Sequence, residues 1–413
     1  MSGAGQYSGF SDVAIIESVR TPWVDLGGAL AHVSPIDLGI KTGREVLARA
    51  GVEPGHVDTV LAGSMAQASF DAYLLPRHIG LYSGVAQQVP ALGVQRICAT
   101  GFELLRQAAL HVTAGGQLAL CVAAESMSRN PIAAYTHRDG FRLGAGVQFK
   151  DFLWEALYDP APAMDMIATA DHLARRHGLS RSQVDGYALL SHERALAAQA
   201  RGWFAPELVA VICEPFELDG YRPRRIELPR GVDSVVSDSH PRPTDKAALS
   251  RLPAIHADGV QTAGNSCAVV DGAAAALVGK ACEAQGAVLA HLLASAVVGV
   301  APQFMGIGPA PAIQLLLQRS GLTLADIDRV EINEAQAAQV LAVAETLELD
   351  IDRLNVHGGS LGLGHPLAAT GLRLVMTLAR QLREDNLRYG IAAACVGGGQ
   401  GMAILIENPA FQR

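Results

Sequence analysis

Apolar positions along this chain follow two alternating spacings, and that alternation predicts its architecture. Short apolar runs such as Val13-Ala-Ile-Ile16, Thr59-Val-Leu-Ala62 and Arg329-Val-Glu-Ile332 read as strands. Between them, apolar residues recur every three or four positions. This happens over about 36–50, after Cys98 (Leu104, Leu105, Ala108, Ala109, Val112), and in a helix ending at 315–319. Strands alternating with helices predict an α/β layer structure. The pattern also occurs twice. Arg49, Gly51, Asp58 and Val60 recur as Arg319, Gly321, Asp328 and Val330, each displaced by 270 positions. At the same offset Thr100-Gly101 recurs as Thr370-Gly371, and the helix 104–110 as 374–380. The strand ending Leu120-Cys-Val-Ala123 resembles Ala394-Cys-Val-Gly397. One offset held across separate segments predicts a duplicated fold with a site where the halves meet.

Between the halves the texture changes. Residues 129–258 are richer in proline, arginine, aspartate and histidine. Within them a helix pair is predicted at 166–176 and 180–200, with Ser180 and Gln183 as a capping box, while 214–245 reads as loops. The expected domains are therefore a first half, 1–128, completed by 259–285; an inserted, lid-like loop domain, 129–258; and a second half, 286–413. A chain of 413 residues, 50% hydrophobic and 17% charged, suits two or three domains. A net charge of −8 with no basic cluster argues against nucleic acid. The tract 286–302 carries His291 and an interrupting glycine, so two strand or turn elements are expected there rather than a membrane span. Six cysteines without a CxxC pair argue against a zinc knuckle and for a reducing, intracellular setting. The leading segment MSGAGQYSGFSD lacks both the apolar stretch of a secretory signal and the arginines of a mitochondrial presequence, so a cytoplasmic location is expected.

Four places could carry chemistry. Cys98 follows a strand-like segment, Val94–Ile97, and precedes small residues and a helix, whose dipole would favour a thiolate. Asn333, at a strand end, is a neutral amide that can fix a water or a carbonyl. His365 sits between Gly364 and Pro366, after a loop with four glycines, and can act as a base or as a donor to an oxyanion. Cys395 ends a strand and is followed by Gly397-Gly-Gly399, whose bare N–H groups can cradle an oxyanion. Singly, each has an ordinary structural reading as a buried thiol, a turn residue or a satisfied histidine. Together they supply a nucleophile, an oriented amide, a histidine and a second thiol, a set suited to covalent acyl transfer.

These residues stand in VRTP (19–22), AESMS (124–128), TAGN (262–265), DGAA (271–274), NEA (333–335), GHP (364–366) and CVGGG (395–399), and on them the chain resembles the thiolases nearly end to end. The resemblance implies an α/β thiolase fold: two βαβαβαββ halves in α/β/α/β/α layers, plus the inserted loop domain. It implies an acetyl-CoA C-acyltransferase or C-acetyltransferase that cleaves or condenses 3-oxoacyl-CoAs, with CoA as substrate and no bound cofactor or metal. Cys98 would be acylated. His365 would activate it and help bind the thioester oxygen, beside a water held by Asn333. Cys395 would move the α-proton, and the N–H groups of Cys98 and Gly397 would form a second oxyanion hole. Arg242 of the inserted domain would contact a phosphate or the adenine of CoA. A homodimer or homotetramer is implied, with its contact along the strand near 118–124.

The departures gather on the acyl and pantetheine side. Gln336 stands where thiolases usually have phenylalanine, Ser266-Cys267 replaces Ala-Ser, Ile255 replaces phenylalanine, and Met166 is followed by Ile167 rather than glycine. A polar wall suggests a degradative enzyme for a bulky or polar acyl group. The alternatives are a short-chain acetoacetyl-CoA thiolase, an enzyme that needs an accessory subunit, or a catalytically silent thiolase-like subunit. Ketosynthases share the duplicated fold but place no cysteine at the position of Cys395.

Overall fold

The computed structural model describes residues 5–66, 70–135, 137–284, 286 and 288–412, so the first four residues of the leading segment lie outside it. The first half runs β1 (Gly5–Gly9), β2 (Val13–Arg20), β3 (Val24–Asp25), α1 (Pro35–Ala50), β4 (Thr59–Gly63), α2 (Leu75–Tyr82), β5 (Ala91–Gly93), α3 (Thr100–Thr113) and β6 (Leu118–Glu125). The inserted region holds four two-stranded ribbons: β7 (Ile132–Ala133) with β8 (Lys150–Asp151), β9 (Tyr158–Asp159) with β10 (Met164–Asp165), β11 (Val211–Ile212) with β14 (Ser234–Val235), and β12 (Glu214–Phe216) with β13 (Arg224–Ile226). Its helices are α4 (Phe152–Ala156), α5 (Met166–His177), α6 (Arg181–Ala200) and α7 (Lys246–Ser250). At the start of α6, Ser180 and Gln183 form the expected capping box. The chain then continues through β15 (Val270–Lys280), β16 (Ala290–Gly299), α8 (Pro309–Ser320), β17 (Arg329–Ile332), α9 (Ala337–Leu347), α10 (Ser360–Leu363), α11 (Thr370–Glu384), β18 (Tyr389–Val396) and β19 (Gln400–Glu407).

The duplication is visible in the strand pairing. In the first half β4 is parallel to β6, which is antiparallel to β15, which is antiparallel to β2. In the second half β17 is parallel to β18, which is antiparallel to β19, which is antiparallel to β16. A two-residue ladder between β16 and β2 joins the halves. Alternate side chains of each sheet enter different cores, as the two-residue strand period requires. Leu120 and Val122 pack with α1, whereas Ala119 and Cys121 face α3. Ile391 and Ala393 pack with α8 and α9, whereas Ala392 and Ala394 face α11. The order is α1/α2, sheet, α3/α11, sheet, α8/α9.

The middle layer explains Thr-Gly in both copies. A Cβ on Gly101 would lie 2.5 Å from the Leu372 nitrogen, and one on Gly371 would lie 2.5 Å from the Phe102 nitrogen. The two related helices therefore cross backbone to backbone at the point where each has no side chain. Arg20 of VRTP is fully buried and pairs with Glu207 (3.0 Å) and Asp238 (2.7 Å), which ties the inserted region to the core.

Two expectations need correction. The tract 286–302 contributes one ten-residue strand, β16, rather than two elements. Strand 118–124 offers no contact surface, because β6 lies between β15 and β4 with all eight residues buried. Beyond β4 lies β5, which ends that side of the sheet and leaves Leu92 exposed. No helix of the described residues is long and apolar enough to cross a membrane.

Candidate active site

Cys98 does not follow a strand. The extended segment ends at Gly93, and Ile97–Ala99 form a 3-10 turn running into α3. Ile97 breaks the extended pattern because it is held at φ 45°. That left-handed conformation costs a β-branched residue on the order of 1–3 kcal/mol. Thr100 holds the turn: its hydroxyl donates to the Ile97 carbonyl (2.7 Å) and accepts from the Arg96 N–H (2.9 Å). The backbone N–H groups of Gly397 and of Cys98 itself lie close enough to the Cys98 sulfur to favour its thiolate form.

The helix dipole does not make Cys98 a resting thiolate. Burial pushes its pKa up to about 11 and outweighs both N–H groups, and the nearby Glu125 carboxylate adds to the rise. Cys267 is pushed up to about 12 by burial and then by Cys98. Cys395 is also raised well above the ordinary thiol range, by burial and then by Cys98 and Cys267. The three sulfurs thus feel one another in one enclosed site. Cys395 is wholly buried and packs with Met305, Ala335 and Met166. The Cys267 N–H donates to the Ala335 carbonyl (3.0 Å).

The histidine sits in a chain of fixed donors. The single hydroxyl hydrogen of Thr370 goes to the Pro366 carbonyl (3.0 Å), so its oxygen accepts from Nδ1–H of His365 (2.6 Å). Nε2 is then the bare, basic nitrogen. Ser360 donates to Oδ1 of Asn333 (2.8 Å), which turns Nδ2 of Asn333 to His365 Nε2 (3.2 Å). The backbone supports this placement. Gly364 stands at φ 92°, where a Cβ would lie 2.4 Å from Val270, and the His365 N–H donates to the Ala268 carbonyl. Burial, then the Arg373 charge, lowers the His365 pKa to about 3.

Of the other expected residues, Met166, Cys267 and Gln336 line this region. Gln336 forms an isolated bridge with Ser266 at the start of α9; its side chain is buried, and its Oε1 has no hydrogen-bond partner. Asp165, before Met166, caps α5 and pairs with His256 at 3.0 Å. Arg242 lies in an exposed loop beside His240, and Ile255 is exposed; neither belongs to the apolar clusters around the thiols.

Sequence reasoning missed Thr370 and Ser360 as supports of the site. Thr370 carried a signal, as the repeat counterpart of Thr100. Glu125 was also missed. It accepts from the N–H groups of Met65 (2.5 Å) and Ala368 (3.1 Å), tying the two halves beside the site, and burial raises its pKa to about 7. Among the described residues no group of His, Cys, Asp and Glu is arranged to hold a metal ion.

The arrangement has named counterparts. The family description "Thiolase, N-terminal domain" matches residues 13–281, and "Thiolase, C-terminal domain" matches residues 286–408. The chain is 37% identical to the mitochondrial 3-ketoacyl-CoA thiolase of Bos taurus over 408 residues, covering 96% of this chain and 98% of that protein. It is 36% identical over 402 residues to the beta-ketothiolase BktB of Cupriavidus necator, covering 96% of this chain and 99% of that one. The crystal structure of human mitochondrial 3-ketoacyl-CoA thiolase in complex with CoA superposes with a TM-score of 0.90 at 36% identity, covering 99% of this chain and 100% of that chain.

Proposed function

The chain belongs to the thiolase family and is an acyltransferase for thiolytic cleavage or condensation of acyl-CoAs; we propose that Cys98 carries the acyl group and that the substrate is a degradative 3-oxoacyl-CoA with a bulky or polar acyl part. The observation carrying the first proposal is that Cys98, Cys267 and Cys395 share one buried site, with the His365 N–H anchored on Ala268 beside Cys267, Leu367 packed against Cys98, and Asn333 bonded to His365.

In cleavage, the Cys98 sulfur attacks the 3-oxo carbon as its proton passes to His365 Nε2. That transfer turns Nε2 from acceptor into donor. The C2–C3 bond then breaks, and the carbanion left on acetyl-CoA takes a proton from Cys395. The resulting Cys395 thiolate deprotonates incoming CoA, whose sulfur attacks the acyl carbon, and Cys98 leaves as it takes its proton back from His365 Nε2. The N–H groups of Cys98 and Gly397 receive the oxygen of the acyl-cysteine, while Asn333 and His365 receive the thioester oxygen. Each carbonyl that gains charge thus has its own donors. The raised thiol values suit this scheme, since neutral thiols in a dry site become anions only when a proton is taken from them. The inserted domain, with Arg242, would hold the nucleotide end of CoA.

The low His365 pKa sets the pH dependence. A depressed value keeps the imidazole neutral, and so basic, at every pH above about 3. Single-turnover acylation of Cys98, followed by intact mass from pH 4.5 to 8, is expected to show no inflection near 6.5. An inflection there that disappears in His365→Asn overturns the assignment.

Gln336 carries the second proposal. A buried amide oxygen without a partner costs about 1–3 kcal/mol, a penalty that a hydrogen-bond donor on the substrate or its water would relieve. The expected outcome is strongest cleavage of polar or bulky members in a panel of short, long, dicarboxylic and aryl 3-oxoacyl-CoAs. Gln336→Phe should shift kcat/KM toward acetoacetyl-CoA by about tenfold. Unchanged selectivity sinks the idea and leaves the short-chain reading.

A further inference from the structure

Glu334 is fully buried and, among the described residues, has no ion pair within contact distance, yet each of its carboxylate oxygens accepts two hydrogen bonds. Oε1 accepts from the Tyr187 hydroxyl (2.7 Å) and from Nδ2 of Asn355 (2.9 Å). Oε2 accepts from the Ser191 hydroxyl (2.6 Å) and the Leu361 N–H (3.1 Å). A Cβ on Gly359 would fall 2.3 Å from this carboxyl, so the glycine makes room for it. Three separate segments meet on these two oxygens. Tyr187 and Ser191 belong to α6 of the inserted region, Glu334 itself follows Asn333, and Asn355 to Leu361 form the loop leading to His365.

The clamp bears on the site through short paths. Leu361 is held at its N–H by Glu334. Ser360, the residue before it, orients the Asn333 amide toward His365. Asn355, at φ 47°, both accepts from the Ile332 N–H (2.8 Å) and donates to Glu334, so it fixes the strand end that delivers Asn333. Moving the carboxylate therefore moves both partners of the oxyanion pair while touching neither reacting sulfur.

We propose that Glu334 is a positioning residue that sets the Asn333–His365 geometry against α6 of the inserted domain. This rests on the catalytic reading of Asn333 and His365 given above. A glutamine at 334 keeps the shape but replaces one acceptor with a donor, which opposes either the Leu361 N–H or the Asn355 amide; neither can turn to accept. A displacement of about 1 Å at a reacting centre costs about a hundredfold in rate.

The test compares wild type, Glu334→Gln and Tyr187→Phe by stopped-flow acylation of Cys98, steady-state kinetics with CoA, and melting temperature. Glu334→Gln is expected to lose about a hundredfold in acylation rate and kcat, with KM for CoA within about twofold. A merely structural defect would instead lower the melting temperature and KM-dependent and KM-independent terms together. A folded Glu334→Gln with wild-type acylation overturns the proposal. If Glu334→Gln does not fold, Tyr187→Phe decides, since it removes a single donor; an unchanged rate there overturns it equally. A wild type never acylated on Cys98 overturns the catalytic reading and this inference with it, whereas variants matching an active wild type overturn this inference alone.

Discussion

Cys98→Ala is expected to lose acyl transfer altogether, and Cys395→Ala to split the reaction in two. Removing a covalent nucleophile costs roughly a millionfold in well-studied hydrolases, and the dry site around Cys98 offers no second path to an acyl-enzyme. Cys267 is another thiol of the same site, but burial and the neighbouring Cys98 push it up to about 12, so it stays protonated. In the proposed mechanism Cys395 has a different task. Its loss removes the acid/base, an effect of about 10²–10⁴ in rate, but leaves the Cys98 turn, the Gly397 N–H and the His365 chain in place. Cys395→Ala should therefore still take an acetyl group from acetyl-CoA onto Cys98, more slowly because CoA, a good leaving thiolate, departs without its proton donor, but visible as an acetylated peptide. Carbon–carbon cleavage of a 3-oxoacyl-CoA, which leaves a carbanion, should fall by the larger factor. An acetylated Cys98→Ala protein, or equal loss of both half-reactions in Cys395→Ala, would reverse the assignment of the two thiols.

Much of the fold was legible because the chain repeats itself. The offset of 270 positions ties α1 to α8, β4 to β17 and α3 to α11, and the structure pairs those elements in matching order. Local pattern sufficed where burial follows spacing, as in α6 with its Ser180–Gln183 box. It failed at Val94–Ile97, where apolar residues suggest a strand but Thr100 folds Ile97 into a positive φ. It failed again for the Cys98 charge state. The helix was visible, whereas desolvation depends on Ala66, Met127 and Leu367 arriving from elsewhere in the chain, as does the charge of Glu125. The same limit hid the Ser360–Asn333–His365–Thr370 chain, since hydrogen bonds between segments leave no periodic trace. The strand proposed as a contact surface misled for a related reason: β6 is a central strand, and centrality depends on which strands flank it.

His365→Ala and Asn333→Ala should each slow acylation of Cys98, and their combination should cost less than the product of the two. In the proposed mechanism His365 serves as base, worth about 10²–10⁴, and then as donor; Asn333 acts on the same thioester oxygen, and one such donor is worth about 10²–10³. The 3.2 Å contact means that each side chain is placed partly by the other. Without His365, no proton reaches Nε2 and no oxyanion develops in step with it, so the Asn333 amide has little left to stabilise. Groups acting as a unit are non-additive for this reason. Thr370→Val offers a finer probe. It keeps the volume but leaves Nδ1–H without its acceptor, freeing the ring to adopt the tautomer with hydrogen on Nε2, which cannot take the thiol proton. Acylation by a 3-oxoacyl-CoA under single-turnover conditions, in which the thioester oxygen of the departing acetyl-CoA falls to Asn333 and His365, measures all four proteins on one step. Strict additivity of the double variant, or a Thr370→Val rate equal to wild type, would show that Asn333 and His365 act independently and that the fixed tautomer is not what makes His365 the base.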